Sequence, residues 1–510
     1  MLAVLLNSKK YCIIKHMASV SKNIFWLSFS RILAIGLLAL AYLFLFRYLG
    51  TYGTGQHQFV LSFVSIFGII IDFGVQQYII KKMSEEPDRQ KEYFHNFLVI
   101  ETVLVCIVYA ALATVAYLSN FEPVVFKAIL VAGIGTASIG LTYPFLAVMS
   151  ANADLKKVAL INFLNSLINA GFIFTAIIFD KYIVFLVSGQ LVFGLTAFTL
   201  YYQFVKKHIG QPQIFSAFKF FKWEIVKPIL YASLPFALLV GFSTIYNRID
   251  TVLIYKFLGP DQTGLYSSAY RLFDLIGFFP AVVSFSLYPI FAGLMARNSI
   301  IEVRSVIEKY FRFMVAIALP VGVGGSLLAL QIISVLAGNK FISAAPILAI
   351  LVWAPTFLII YVVANSLVIS QLTKFAVIIT SLNMVFNVTA NLIFLPIYGI
   401  KAAAIITVIS EGIQAIFYIY FVQTKITRFK ITAFLWQPAI ASAVMGVVIY
   451  FVRDLKFLTF SEGSILASLS ELITLVLLGS VVYVSVLILL RFFKTEDLAF
   501  VKSFLFPAKL

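Results

Sequence analysis

The side chains in this chain best suited to chemistry are charges and amides set inside long apolar runs. Arg31, Arg248 and Arg271 stand there, together with Asp72, Asp250, Asp274, Glu411, Asn247, Asn387 and Asn391. A charge within hydrocarbon is costly, so such a group faces a cavity or a partner. The arginines suit an anionic phosphate, because a guanidinium presents a planar fork of donors; the same fork suits a buried carboxylate. Asn247 and Asp250 are three residues apart, as are Arg271 and Asp274, so each pair shares one helical face. The arginines with Asn247, Asn387 and Asn391 are candidates for lining a substrate cavity. Asp72, Asp250, Asp274 and Glu411 are candidates for coupling to a proton or a sodium ion. The competing reading is structural: Arg and Asp neutralise each other between helices, and amides join membrane helices for about 1 kcal/mol each. Arg31 is near enough to its helix end to snorkel to the surface.

Other chemistries lack their residues. There is no Walker lysine after a glycine loop, no nucleophile elbow and no cofactor motif. Only four His and two Cys occur, Cys12 and Cys106, with no metal-ligand spacing. Asn387-Val388-Thr389 is a glycosylation sequon placed in mid-membrane, where it has no meaning. Gly322-x-Gly324-Gly325 follows Pro320 and reads as a kink or a close helix contact, not a phosphate loop.

The elements that must position these residues are membrane helices. The chain is 62% hydrophobic and 12% charged, with mean hydropathy +1.02. A crossing needs about 20 apolar residues. The apolar runs predict an all-α polytopic membrane protein with about fourteen crossings, near 24–46, 58–80, 96–118, 124–150, 158–179, 182–204, 229–254, 265–293, 313–337, 345–369, 375–397, 402–422, 433–452 and 472–490. Net charge is +17, and its distribution excludes nucleic acid. Most of the 38 Lys and Arg fall in the tails and alternate loops, among them Lys81, Lys82, Lys156, Lys157, Lys206, Lys207, Arg304, Lys309, Lys425 and Arg428. Cytoplasmic loops collect such residues. Both termini are therefore expected in the cytoplasm. The apolar run after Lys9, Lys10 and Lys15 is long enough to span and reads as a retained first helix, with Met17 an alternative start.

An internal repeat organises the crossings. Arg47-Tyr48-Leu49-Gly50-Thr51-Tyr52-Gly53-Thr54-Gly55 is matched by Lys256-Phe257-Leu258-Gly259-Pro260-Asp261-Gln262-Thr263-Gly264. Each Gly–Gly stretch predicts a tight outer loop. Asn162, Asn165 and Asn169 are matched by Asn383, Asn387 and Asn391, each set on one helix face. The expected plan is a tail over 1–23, a six-helix bundle over 24–204, a cytoplasmic linker over 205–228 and a second six-helix bundle over 229–422. Two extra helices over 433–490 and a tail over 491–510 complete it. The bundles are related by pseudo-twofold symmetry about the membrane normal, a secondary-transporter plan. The linker carries Lys206, Lys207, Lys219, Lys222 and Lys227 among Phe and Trp, and reads as an amphipathic segment held to anionic lipid.

These motifs resemble one family. Trp26 and Ser28, the Arg47 to Gly53 segment, Asp72-Phe73-Gly74, Asn247-Arg248-x-Asp250, Leu258-Gly259…Gly264-x-Tyr266, and Asn387-x-x-x-Asn391…Leu395-Pro396-x-Tyr398-Gly399-Ile400-x-Ala402-Ala403, then Ser410-Glu411, are similar to the Wzx-type polysaccharide flippases. That family belongs to the multidrug/oligosaccharidyl-lipid/polysaccharide exporter superfamily. The resemblance implies paired six-helix bundles about a cationic cavity. The implied cargo is an isoprenoid-pyrophosphate-linked oligosaccharide moved to the outer leaflet of the cell membrane, with rocking coupled to H+ or Na+. A polysaccharide polymerase and a chain-length protein are implied partners. Arg31, Arg248 and Arg271 would attract the pyrophosphate, and the two extra helices would offer a groove for the lipid tail. The alternatives are a MATE-like drug antiporter, a lipid II flippase and, from another class, a membrane polymerase or ligase. Short outer loops leave the last no room for a catalytic domain.

Overall fold

In this computed structural model the backbone is described for residues 2–214, 216–453 and 465–493, and side chains for 33–453 and 466–493 except Asp72, Phe215, Phe285 and Pro289. The side chains of Arg31 and Asp72 thus lie outside the described residues. The chain runs as α1 (Leu2–Asp72), α2 (Val75–Glu85), α3 (Gln90–Leu118), α4 (Pro123–Gly140), α5 (Tyr143–Ala151), α6 (Leu155–Ile178), α7 (Ile183–Ile209) and α8 (Trp223–Ala296). It continues as α9 (Ile300–Leu327), α10 (Ala329–Leu336), α11 (Ala345–Leu351), α12 (Trp353–Gln371), α13 (Thr373–Tyr398), α14 (Ile400–Lys425), α15 (Thr432–Val452) and α16 (Ile465–Leu489).

The all-α membrane architecture is as expected, with 12 helical stretches among the described residues long and apolar enough to cross a bilayer. Two are far too long for one crossing: Leu33–Glu85 has 53 residues and Trp223–Ala296 has 74. At about 1.5 Å per residue the shorter would reach roughly 80 Å, against a hydrocarbon core of about 30 Å. Each is broken, at Gly50 (φ 64°, ψ −171°) and at Gly259 (φ 81°, ψ −179°). Only glycine holds that backbone cheaply. The two limbs of each have the length for separate crossings.

The breaks correct one expectation. The Gly–Gly stretches are not loops: helix resumes at Thr51 and at Pro260, directly after one non-helical residue. Proline is favoured there, since the first helical N–H has no partner to lose. The Thr263 hydroxyl donates to the Gly259 carbonyl at 2.8 Å and ties the break to the turn that follows.

Helix ends follow local rules. Pro123 opens α4, and Lys206, Lys207 and His208 occupy the last turn of α7, where a cation meets the negative end of the helix dipole.

Contacts group the chain into two units, Met1–Gly264 and Leu265–Leu510. In the first, one core joins Phe94, Phe97, Phe145, Val148 and Met149, and another joins Phe59, Val60, Val125, Ala128 and Ile129 near the Gly50 break. The linker packs on this unit. The Lys222 N–H donates to Asn96 Oδ1 at 2.8 Å, Asn96 Nδ2 donates to the Phe220 carbonyl at 3.3 Å, and Lys222 Nζ reaches Glu92 at 2.6 Å. Phe218, Phe221 and Trp223 stay exposed. In the second unit α15 and α16 pack through Met445, Ile449, Leu475 and Tyr483, whose hydroxyl donates to the Ala316 carbonyl of α9 at 2.7 Å.

Candidate functional site

In the first unit the two glycine breaks lie against each other. A Cβ at Gly55 would overlap the carbonyl oxygen of Pro260, and a Cβ at Gly264 would overlap that of Thr51. Gly55 matches Gly264 and Thr51 matches Pro260 in the repeat, so the contact is reciprocal. The Thr51 hydroxyl donates to Asp261 Oδ1, and Phe59 stacks on Tyr255 with ring centroids 3.9 Å apart. Around this seam Tyr52 and Gln56 donate to the two oxygens of Glu122 at 2.8 Å, Tyr182 donates to Gln56 Oε1 at 2.8 Å and Tyr48 donates to Asp180 at 2.8 Å. The repeat motif therefore builds a close backbone seam ringed by hydrogen bonds.

Further along the same limb of α8, Asn247 donates to the Ser243 carbonyl at 2.8 Å. Arg248 is half-buried and has no hydrogen bond or ion pair among the described residues. Asp250 is buried.

The second unit gathers more of the candidates. Arg271 Nη1 stands 3.9 Å from Asp274 Oδ2, a loose pair one helical turn apart. Asn387 and Asn391 are fully buried; Asn391 Nδ2 donates to the backbone and side-chain oxygens of Asn387, and Asn387 Nδ2 reaches Ser410 Oγ at 3.3 Å. Asn169 makes the same pair of bonds to Asn165 in α6 of the first unit. The repeat thus preserves a geometry as well as residue types. Beside Ser410, the buried Glu411 accepts a hydrogen bond from the Tyr361 hydroxyl at 2.8 Å. Tyr361 stacks on Tyr418 with centroids 5.5 Å apart and rings 7° from parallel. The carboxyl and the phenol form one buried hydrogen-bonded unit.

Tyr361, Tyr418 and Thr380, which lies 3.4 Å from the Tyr418 hydroxyl, carried no signal in the sequence. A tyrosine in an apolar run looks like core until its hydroxyl is given a partner. The same unit holds a cavity of about 500 Å³ lined by Gly277, Pro280, Ala281, Ser284 and Tyr288 of α8 and Leu358, Val362 and Asn365 of α12. It too was not anticipated.

Comparisons with known proteins agree with this picture. The family described as "Polysaccharide biosynthesis protein" matches residues 20–295. The probable low-salt glycan biosynthesis flippase Agl15 of Haloferax volcanii is 20% identical over 90% of this chain and 94% of its own length. The probable flippase AglR of the same organism is 22% identical over 41% of this chain. Among solved structures, the lipid II flippase MurJ in an inward closed conformation superposes with a TM-score of 0.69 at 16% identity, over 91% of this chain and 98% of that one. An inward-facing multidrug resistance MATE family transporter gives 0.56 at 15% identity, over 77% and 94%. At such identities the solved structures establish a shared fold.

Proposed function

The chain belongs to the polysaccharide biosynthesis protein family, and from that membership we propose that it is a flippase carrying a lipid-linked oligosaccharide across a cell membrane. The carrying observation is the end-to-end likeness to a protein named as a glycan biosynthesis flippase, over a fold shared with a lipid II flippase. Both termini face the cytoplasm, as the distribution of basic residues favours. The head group is an isoprenoid pyrophosphate, and Arg31, Arg248 and Arg271 receive it. Arg271 suits the role because its guanidinium, 3.9 Å from Asp274, carries the planar fork that matches phosphate oxygens. The two halves expected over 24–204 and 229–422 alternate access to the two leaflets, with the helices over 433–490 beside the lipid tail.

Ion coupling falls to the carboxylates. Glu411, buried and held by Tyr361, is the strongest candidate, followed by Asp250, which is equally buried. Asp274 is exposed and pairs with Arg271, which gives it a positioning role. Asp72 belongs to the same set by its sequence position.

The deciding experiment reconstitutes the full chain in vesicles with the source cell's lipid-linked oligosaccharide in the inner leaflet. Glycan should become accessible to an external lectin faster than in protein-free vesicles. Equal rates would overturn the reading.

A further inference from the structure

We propose that the α8–α12 cavity is a saccharide subsite, which takes the first sugar units of the cargo while Arg271 takes the anion; the inference rests on the flippase reading above. Gly277, Ala281, Ser284 and Tyr288 are spaced four, three and four residues apart, so they form one stripe along α8. Continued by threes toward the N-terminus, that stripe passes through Asp274 and Arg271. From Arg271 to Pro280, in the middle of the cavity wall, the helix rises about 14 Å. A glycan whose pyrophosphate sits at Arg271 therefore has the cavity along its path.

The lining is mainly apolar, and the three polar side chains set in it, Ser284, Tyr288 and Asn365, are what a sugar can use and a lipid tail cannot. Tyr288 is 49% exposed, and its ring offers a flat apolar face for the C–H groups of a pyranose. Asn365 is half-buried, and its amide makes no hydrogen bond among the described residues. An amide at membrane depth without a partner is costly, and an alkyl chain could not relieve that cost. Vicinal hydroxyls can, since the amide both donates and accepts. The Ser284 hydroxyl, bonded to Ser366 Oγ at 2.8 Å, adds a second polar point on the opposite wall. Pro280, Leu358 and Val362 supply the apolar surface between. The volume of about 500 Å³ lies within the range of small-ligand pockets.

The test uses the purified full-length protein and the source cell's extracted isoprenyl-pyrophosphate pool, and counts by mass spectrometry the glycan-bearing and glycan-free species retained. Asn365→Leu keeps the volume and removes the amide. Gly277→Leu fills the cavity, and its Cβ meets nothing within 4 Å, so the helix tolerates it. Wild type should prefer glycan-bearing lipid. Both variants should cut that preference about tenfold and leave retention of the bare lipid unchanged. Variants that keep the wild-type preference overturn the subsite, while the flippase reading survives on wild-type binding. Equal loss of both species assigns the cavity to the isoprenoid and also overturns it. A wild type that retains neither species refutes the flippase reading and the subsite with it. Thermal melts of the variants matching wild type keep misfolding apart from each of these outcomes.

Discussion

Gly55 lies so close to Pro260 that its missing side chain is what lets the two helix breaks meet, and Gly264 meets Thr51 in the same way. Alanine normally favours a helix over glycine by about 1 kcal/mol. Here the added methyl overlaps a backbone oxygen, which retreats only if a helix shifts, at a cost of about 1–3 kcal/mol. Gly55→Ala and Gly264→Ala should therefore each lower the melting temperature in detergent, and the double variant should cost less than the sum, because the first already parts the seam. A melting temperature unchanged in both single variants would show that the contact is loose.

The arginines separate by their surroundings. Arg271→Ala removes a cation 3.9 Å from Asp274, and Arg248→Ala removes one without a partner among the described residues. Each should lower glycan export about tenfold at constant protein level, the scale of one charge-assisted hydrogen bond. Arg271→Lys, which keeps charge and loses the fork, should fall between. Surface glycan measured against membrane protein content reads the effect, and wild-type export in both alanine variants would remove these residues from the mechanism.

Tyr361 and Glu411 act as one unit. Tyr361→Phe strips the donor from a buried carboxyl and should destabilise by about 1–2 kcal/mol, whereas Glu411→Gln keeps an acceptor for the hydroxyl and should cost less. If Glu411 carries the coupling proton, Glu411→Gln should transport independently of an imposed pH gradient. Transport that still follows the gradient would assign coupling elsewhere.

Asp154, between α5 and α6, gives a pH dependence. Burial pushes its carboxyl up, but hydrogen bonds from His208 at 2.8 Å and Lys157 at 3.0 Å outweigh that, so it sits below the ordinary value of 3.8. A depressed carboxyl stabilises the folded state above its unfolded value and loses that contribution as pH falls through the folded one. The melting-temperature gap between wild type and Asp154→Asn should be full near about pH 5 and close below about pH 4. A gap that stays constant through this window would mean the cluster contributes nothing.

Much of this was legible in the chain itself. Run lengths showed membrane crossings, because a bilayer admits only helices of a set length unless barrels close. The motif around Gly50 and its copy around Gly259 marked the repeat, and the copies share backbone angles as well as residues. The paired asparagines, 165 with 169 and 387 with 391, also share one hydrogen-bond pattern.

What the sequence could not give is which way each helix turns. A soluble helix announces its buried face by an apolar stripe, but here lipid and protein interior are both apolar, so rotation about the axis leaves no trace in residue type. Only packing decided that Tyr361, fifty residues from Glu411, donates to it. Packing likewise decided that Arg271 faces Asp274 at 3.9 Å and opened the cavity at Asn365. Residue spacing sets what a helix can present; the neighbours it meets set what it does present.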